Sequence, residues 1–312
     1  MENEELPIEA GMKAIRIGLL LLGLVTLAAP GAAQTPLDKS PMDRATRISP
    51  HYFGPNAFPI PDMSDGRTAG RFRVESSGSV FFGKRGDRTA DVSLKASVPL
   101  WTDRASLSLW MPLTEWWRNT EENIAACRVS EAYRTEAARG HLTGDLYVGL
   151  EMQVLRQGRS PVDGVVRSVL KTASGGGYHL ARYYDSPGYY FDASFSRAFR
   201  LKNGEIRFGL STGFLCWQTD NGRQNDAVMY GIMAGYEGRR IMLSCTLGGY
   251  SGWERHVRDG RRTAHDRPMS QKISLVWKMD RWEILMGGQI GIRDYPYNQI
   301  RLGLSYSILN KK

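Results

Sequence analysis

The residues best suited to recognise a small polar ligand fall in two stretches of the sequence, 171–192 and 217–226. Both stretches mix cations, carboxylates and aromatic rings, and the second also contains amides; these groups bind a solute by charge, hydrogen bonds and stacking. We predict a binding site formed by Lys171, Arg182, Tyr184, Asp185, Asp192, Trp217, Gln218, Asp220, Gln224 and Asp226. The alternative is a network of ion pairs that satisfies two long connections and binds nothing.

Three residues of the first stretch are of the types that a hydrolase uses. His179, Asp185 and Ser186 are weak catalytic candidates, as base, orienting group and nucleophile. None of them lies in a recognisable motif such as Gly-x-Ser-x-Gly. An enzyme acting on lipid or peptide is therefore the alternative, and our main interpretation is not an enzyme.

The pattern of histidines and cysteines does not predict a metal site. His256 and His265 lack the helical i, i+4 spacing of a ligand pair. The three cysteines, Cys127, Cys216 and Cys245, are an odd set without metal-ligand spacing or a disulfide framework. We therefore expect neither a metal ion nor a cofactor.

The elements that must position the candidate residues are segments in which apolar and polar residues alternate. In the last one, large apolar residues occupy the even positions from Ile300 to Ile308, and Arg301 and small residues occupy the odd positions. A period of two is typical of β-strands. One apolar face and one small or charged face suit a strand with lipid outside and water inside.

Twelve such segments follow one another, and most are long enough to cross a membrane at a tilt of about 45°. We predict an all-β fold, a single antiparallel transmembrane β-barrel of about twelve strands, preceded by a short irregular segment. Ten or fourteen strands are alternatives, because Val165–Thr172 is the weakest segment. The predicted strands are Phe72–Phe82, Ala90–Leu100, Ala105–Trp117, Leu142–Leu155, Val165–Thr172, Tyr189–Arg200, Glu205–Trp217, Ala227–Glu237, Ile241–Tyr250, Gln271–Met279, Trp282–Arg293 and Gln299–Leu309.

The connections between these segments alternate in length. Thr102–Arg104 and Asp280–Arg281 are short, whereas Arg118–His141 and Ser251–Pro268 are long. Outer-membrane barrels have short periplasmic turns and longer extracellular loops. Aromatic residues near the predicted strand ends are interpreted as interfacial girdles: Trp101, Trp116, Trp117, Trp217, Tyr236, Tyr250 and Trp282.

The N-terminal residues predict export and a pre-barrel segment. Residues 1–33 have the basic, apolar and small-residue regions of a signal peptide cleaved after Ala33, and the acidic residues before Met12 suggest that translation starts at Met12. Residues 34–70 are rich in proline and polar residues. We predict that they form either a plug, with Tyr52, Phe53 and Phe58 packed in the lumen, or a loose linker. Residues 71–312 form the predicted barrel.

The net charge of +9 bears on partners. In an exported chain it favours contact with outer-membrane lipids and lipopolysaccharide over nucleic acid. The barrel-assembly machinery is the expected partner during insertion into the outer membrane. Inward-facing charges of both signs, with an excess of Lys and Arg, favour passive passage or binding of a small polar solute; a structural or adhesive surface barrel is a further alternative.

Four runs of the sequence are distinctive: Ile48–Ala57, Leu170–Gly175, Ala181–Ala193 and Cys216–Ala227. They resemble the corresponding runs of uncharacterised outer-membrane β-barrel proteins of Bacteroidetes. The resemblance covers most of the mature chain and implies an outer-membrane barrel. It implies no particular activity.

Overall fold

The protein is an antiparallel β-barrel of twelve strands in a computed structural model. The structure describes residues 49–100, 104–218, 224–252, 257–258, 261–262 and 266–308. Each barrel strand pairs with its neighbours in the sequence, and the first strand pairs with the last, which closes the sheet. In the described part of the chain, no helix is both long and apolar enough to cross a membrane.

The barrel strands match the twelve predicted segments to within a few residues at most ends. They are β1 Phe72–Gly83, β2 Arg88–Pro99, β3 Ala105–Arg118, β5 Tyr147–Leu155, β6 Asp163–Lys171, β7 Gly188–Leu201, β8 Gly204–Gln218, β9 Gln224–Glu237, β10 Ile241–Gly252, β13 Met269–Lys278, β14 Trp282–Arg293 and β15 Tyr297–Ile308. Three short strands lie outside the barrel set: β4 Arg139–Leu142, β11 Val257–Arg258 and β12 Arg261–Arg262. The prediction of a single twelve-strand barrel is confirmed.

The connection after β3 differs most from the prediction. It contains two short helices, α1 Glu121–Ala126 and α2 Arg134–Ala138, which the alternation of residues did not indicate. Thr120 caps α1 by accepting a hydrogen bond from the backbone of Asn123. The predicted strand from Leu142 starts at Tyr147 instead, because β4 ends at Leu142 and pairs with the far end of β3.

Side chains alternate between the inside and the outside of the barrel. In β8, Phe208 and Leu210 are exposed on the outer face, whereas Arg207 is buried in the lumen. In β15, Leu302 is 61% exposed and Ser305 is buried. The exposed band of this barrel is apolar and its interior is polar. A soluble barrel has the opposite arrangement, so this distribution suits a barrel surrounded by lipid.

Part of the aromatic-girdle interpretation is wrong. Trp117, Trp217 and Tyr250 are buried, whereas Trp116 and Trp282 are exposed on the outer face. Trp101 lies outside the described residues. The buried aromatics lie at the end of the barrel that carries the long connections, where they pack with the connections instead of facing outward.

The two ends of the barrel differ. We call the end with the long connections the loop end and the end with the short connections, where β1 begins and β15 ends, the turn end. Residues 49–70, the luminal segment, run from one end to the other inside the barrel. Ser49 donates a hydrogen bond to Asp266 near the loop end, and Arg67 forms an ion pair with Glu237 at the turn end.

Candidate functional site in the barrel lumen

The luminal segment is fixed at the loop end by hydrogen bonds and aromatic packing. The hydroxyl of Tyr297 donates to the carbonyl of Phe53 (2.8 Å), and that of Tyr295 donates to the carbonyl of Pro55 (3.1 Å). The ring of Phe53 packs against Phe58 and Tyr184, with centroids 5.4 and 5.5 Å away. These contacts are buried, so a hydrophobic core fills the lumen at the loop end.

A buried ion pair lies beside this core. Arg182 donates from Nε to Glu115 (3.0 Å), forms a second contact with the same carboxylate through Nη2, and donates to Thr89 (2.9 Å). Asn56 of the luminal segment donates to Glu115 (2.8 Å) and to Asp91 (2.9 Å). The carboxylates of two strands thus hold the segment and a long connection together.

The surroundings of this pair shift the pKa values of Arg182 and Tyr183. Burial lowers the pKa of Arg182, but the charge of Glu115, the hydrogen bond to it and the neighbouring Tyr297 and Tyr183 together outweigh burial, so the pKa lies above its ordinary value. Burial, followed by the charge of Glu115, holds the pKa of Tyr183 well above its ordinary value. The Tyr183 hydroxyl therefore stays protonated and donates to Glu115 (3.0 Å).

The predicted binding residues of the first stretch are engaged with partners in the structure. Lys171 Nζ lies 2.6 Å from Asp145 and donates to the carbonyl of Ser186 (3.1 Å). Asp192 accepts from Arg167 Nε at 2.8 Å. Tyr184 is buried in the aromatic core. Lys171, Arg182 and Tyr184 thus contribute to closing the loop end, and Asp192 lies deeper in the lumen.

The second stretch supplies packing and strand pairing. Trp217 is buried, with its ring centroid 6.3 Å from that of Phe58. Gln218 and Gln224 face each other at the ends of β8 and β9, and Asp226 pairs in register with Cys216. Asp220 lies outside the described residues. Trp217 therefore joins the loop-end core that contains Tyr184, through the shared contact with Phe58.

The weak catalytic candidates contact different partners. His179 lies 3.8 Å from Glu136 and packs against Tyr133. Ser186 donates from its hydroxyl to the carbonyl of Gln218, and Asp185 acts electrostatically on Asp145. Nucleophilic catalysis by a triad needs a base within hydrogen-bond reach of the nucleophile. The contacts of these residues provide no such bond.

A cavity of about 590 Å³ lies in the lumen between the luminal segment and the wall. This volume falls within the range of small-molecule sites, about 300 to 1,000 Å³. Serines from several strands line the cavity and offer hydroxyl groups to a polar solute: Ser77, Ser79, Ser93, Ser108, Ser244 and Ser274.

Charged side chains surround the same cavity in pairs. Arg73 pairs with Glu283 (2.8 Å), Arg301 with Glu75 (2.7 Å) and Arg207 with Asp163 (2.7 Å). Glu205 and Glu237 at the turn end pair with cations as well. Glu205, Glu237 and Asp163 were not predicted to face the lumen, but they do. Their negative charges offset the predicted excess of luminal Lys and Arg.

Three polar residues that hold the luminal segment in place were not among the residues predicted from the sequence: Glu115, Asn56 and Asp62. Asn56 and Asp62 lie in a stretch with no periodicity, so only their position in the fold identifies them. The sequence does contain a signal for Glu115. It is a carboxylate beside two tryptophans near the end of a predicted strand, and a charge in such surroundings needs a partner.

The comparisons with known proteins agree with the architecture. Neither the scan against protein-family models nor the search of curated proteins gives a match. Among solved structures, an outer membrane channel from Pseudomonas putida F1 is similar with a TM-score of 0.54 and 10% identity, covering 80% of this chain and all of that one. The NanC porin is similar with a TM-score of 0.50 and 12% identity, covering 75% of this chain and all of that one. The chain has the fold of Gram-negative outer-membrane β-barrel proteins.

Proposed function

We propose that the protein is an outer-membrane channel for small polar solutes, and that the luminal segment closes it. The observation that carries the proposal is the cavity of about 590 Å³, lined by hydroxyl and charged groups and bounded by a segment that hydrogen bonds hold in place. A polar cavity in a barrel with an apolar outer face suits water-soluble cargo. The loop-end core blocks passage until the segment moves.

The proposed location agrees with the surface and with the sequence. The outer face carries large exposed apolar residues such as Ile232 and Leu302. Cleavage of residues 1–33 as a signal peptide, insertion by the barrel-assembly machinery and contact with lipopolysaccharide are part of the same proposal. The resemblance to outer-membrane proteins of Bacteroidetes supports this location.

Removing the tyrosine anchors is expected to open the channel. In the Tyr295→Phe, Tyr297→Phe double variant, two buried carbonyls of the luminal segment lose their hydrogen bonds, at a cost of about 2 kcal/mol together. This shifts the closed–open equilibrium roughly 30-fold. Single-channel recordings in planar lipid bilayers measure the open probability of the full chain and of the variant.

Tyr236→Phe is the matched control for this measurement. Tyr236 also donates from its hydroxyl to a backbone carbonyl, that of Asn203 (2.9 Å), but it does not bind the luminal segment. Its open probability is expected to equal that of the unchanged protein. If the double variant is folded and its open probability is no higher than that of the control, the channel proposal fails.

The path of the segment also predicts where an inserted tag is exposed. Ser49 lies at the loop end, the end expected to face outward. An epitope inserted between Glu131 and Ala132, two exposed residues of the connection after β3 at the same end, should therefore bind antibody on intact cells. The same epitope between Lys202 and Asn203, at the turn end, should bind only after the outer membrane is permeabilised. The opposite labelling would contradict the proposed orientation.

A further inference from the structure

Among the residues that the structure describes, no carboxylate of the barrel pairs with either of two ammonium groups of the cavity wall. Lys272 Nζ pairs with Asp62 Oδ1 (2.6 Å) and donates to the carbonyl of Ile60 (3.0 Å), both in the luminal segment. For Lys95, the described part of the chain contains no carboxylate within ion-pair distance. Its Nζ lies 5.6 Å from the ring centroid of Trp110.

Other luminal cations are satisfied within the barrel itself. Arg167 pairs with Asp192 at 2.8 Å, and Arg73, Arg207 and Arg301 pair with carboxylates of other barrel strands. Their charges are neutralised whether or not the luminal segment is present. The charge of Lys272, in contrast, is neutralised only while the segment is in place.

The carboxylate of Asp62 lies within the electrostatic influence of several luminal cations. The positive charges of Lys272, Arg301 and Lys95 all act on it. Its side chain is 70% exposed, so its ion pair with Lys272 faces the cavity and can be reached by a solute. An exposed pair contributes little to stability, typically below about 1 kcal/mol. It is therefore open to competition.

We propose that Asp62 occupies a carboxylate-binding subsite of the cavity, formed by Lys95 and Lys272, which takes the carboxylate of a small hydroxylated solute when the luminal segment leaves. Serine hydroxyls around the cavity, among them Ser93 and Ser274, bind the hydroxyl groups of that solute. The inference rests on the proposed channel function and adds the class of solute.

Competition between Asp62 and the solute links binding to opening. The solute carboxylate reaches the ammonium groups only in the state that Asp62 has left, so its binding favours that state. Asp62 is tethered and acts at an effective concentration in the millimolar range. A free carboxylate therefore binds the unchanged protein weakly, and more tightly once Asp62 loses its charge.

The test is direct binding of gluconate to the full chain folded in detergent, measured by isothermal titration calorimetry. Gluconate is a small hydroxylated carboxylate; glucose and glucosamine serve as neutral and cationic probes. In Asp62→Asn, gluconate should bind about tenfold more tightly than to the unchanged protein, because the internal competitor is gone. Adding Lys272→Met to this variant should abolish the gain. Glucose and glucosamine should gain nothing.

Asp65→Asn is the matched control, since Asp65 pairs with Arg67 of the same segment, 2.6 Å away. It should leave gluconate affinity unchanged. Equal affinity in Asp62→Asn and the unchanged protein, or an equal gain for glucose, overturns the subsite. Binding is measured without current, so the two proposals fail separately. Gluconate binding with a silent bilayer refutes only the channel, and conductance without gluconate binding refutes only the subsite.

Discussion

Replacing Glu115 by glutamine is expected to destabilise the folded barrel by about 3 to 5 kcal/mol, the usual cost of leaving a buried charge without its partner. The Glu115 carboxylate is completely buried and accepts hydrogen bonds from Arg182, Tyr183 and Asn56. Glutamine keeps the shape of the side chain but not the charge, so the guanidinium of Arg182 stays buried without an anion. The loss should appear as a lower guanidinium midpoint, followed by tryptophan fluorescence of the protein in micelles.

An exposed pair provides the control for this experiment. Glu131 lies 3.0 Å from Arg134 and is 87% exposed, so Glu131→Gln should change stability by less than about 1 kcal/mol. A second variant tests the cause: Glu115→Met combined with Arg182→Met removes both charges and should recover a large part of the loss. Equal midpoints for Glu115→Gln and Glu131→Gln would refute the role assigned to the buried pair.

Replacing Leu302 by lysine is expected to cost about 2 to 4 kcal/mol in a lipid bilayer, as for a charge at the midplane of an outer-membrane barrel. Leu302 lies in the middle of β15 and is among the most exposed large apolar side chains of the described chain. A lysine ammonium there must enter hydrocarbon or distort the lipid around it. Equilibrium unfolding from lipid vesicles measures the effect.

Ser93→Lys is the control, because Ser93 lines the aqueous cavity on the inner face of β2. It should change stability by less than about 0.5 kcal/mol. The comparison separates a membrane barrel from a soluble one. If Leu302→Lys is harmless, or makes the protein soluble without lipid, the outer-membrane interpretation is wrong.

The strand pattern of this protein could be predicted from its sequence because the environment on each side of the wall is uniform. Lipid outside selects apolar residues at every second position, and the lumen selects small or charged residues between them. Segments such as Trp282–Arg293 therefore have the same bounds in the prediction and the structure. Pairing of the first strand with the last closes the sheet and leaves no unpaired edge, so a long run of such strands predicts a barrel.

Where a β-bulge interrupts the alternation, a strict period of two predicts the wrong face of the strand for the residues beyond it. The register between β2 and β3 shifts between Val92 and Ser93, so that Leu113 is left without a partner. Beyond this bulge the inner face of β3 changes from even to odd positions. Glu115 and Trp117 point inward and Trp116 points outward, which a strict period of two does not predict.

The sequence by itself determined the fold class, the approximate number of strands and most of their bounds to within a few residues, because period and length report the local environment of each residue. Tertiary structure alone decided which charges meet. Glu115 and Arg182, or Asp62 and Lys272, are far apart in the chain and become neighbours only when the sheet closes around the luminal segment. Burial forces Glu115 and Arg182 to pair, and their pair joins the luminal segment to a long connection at the loop end, whereas the exposed Asp62 pairs with Lys272 beside the cavity.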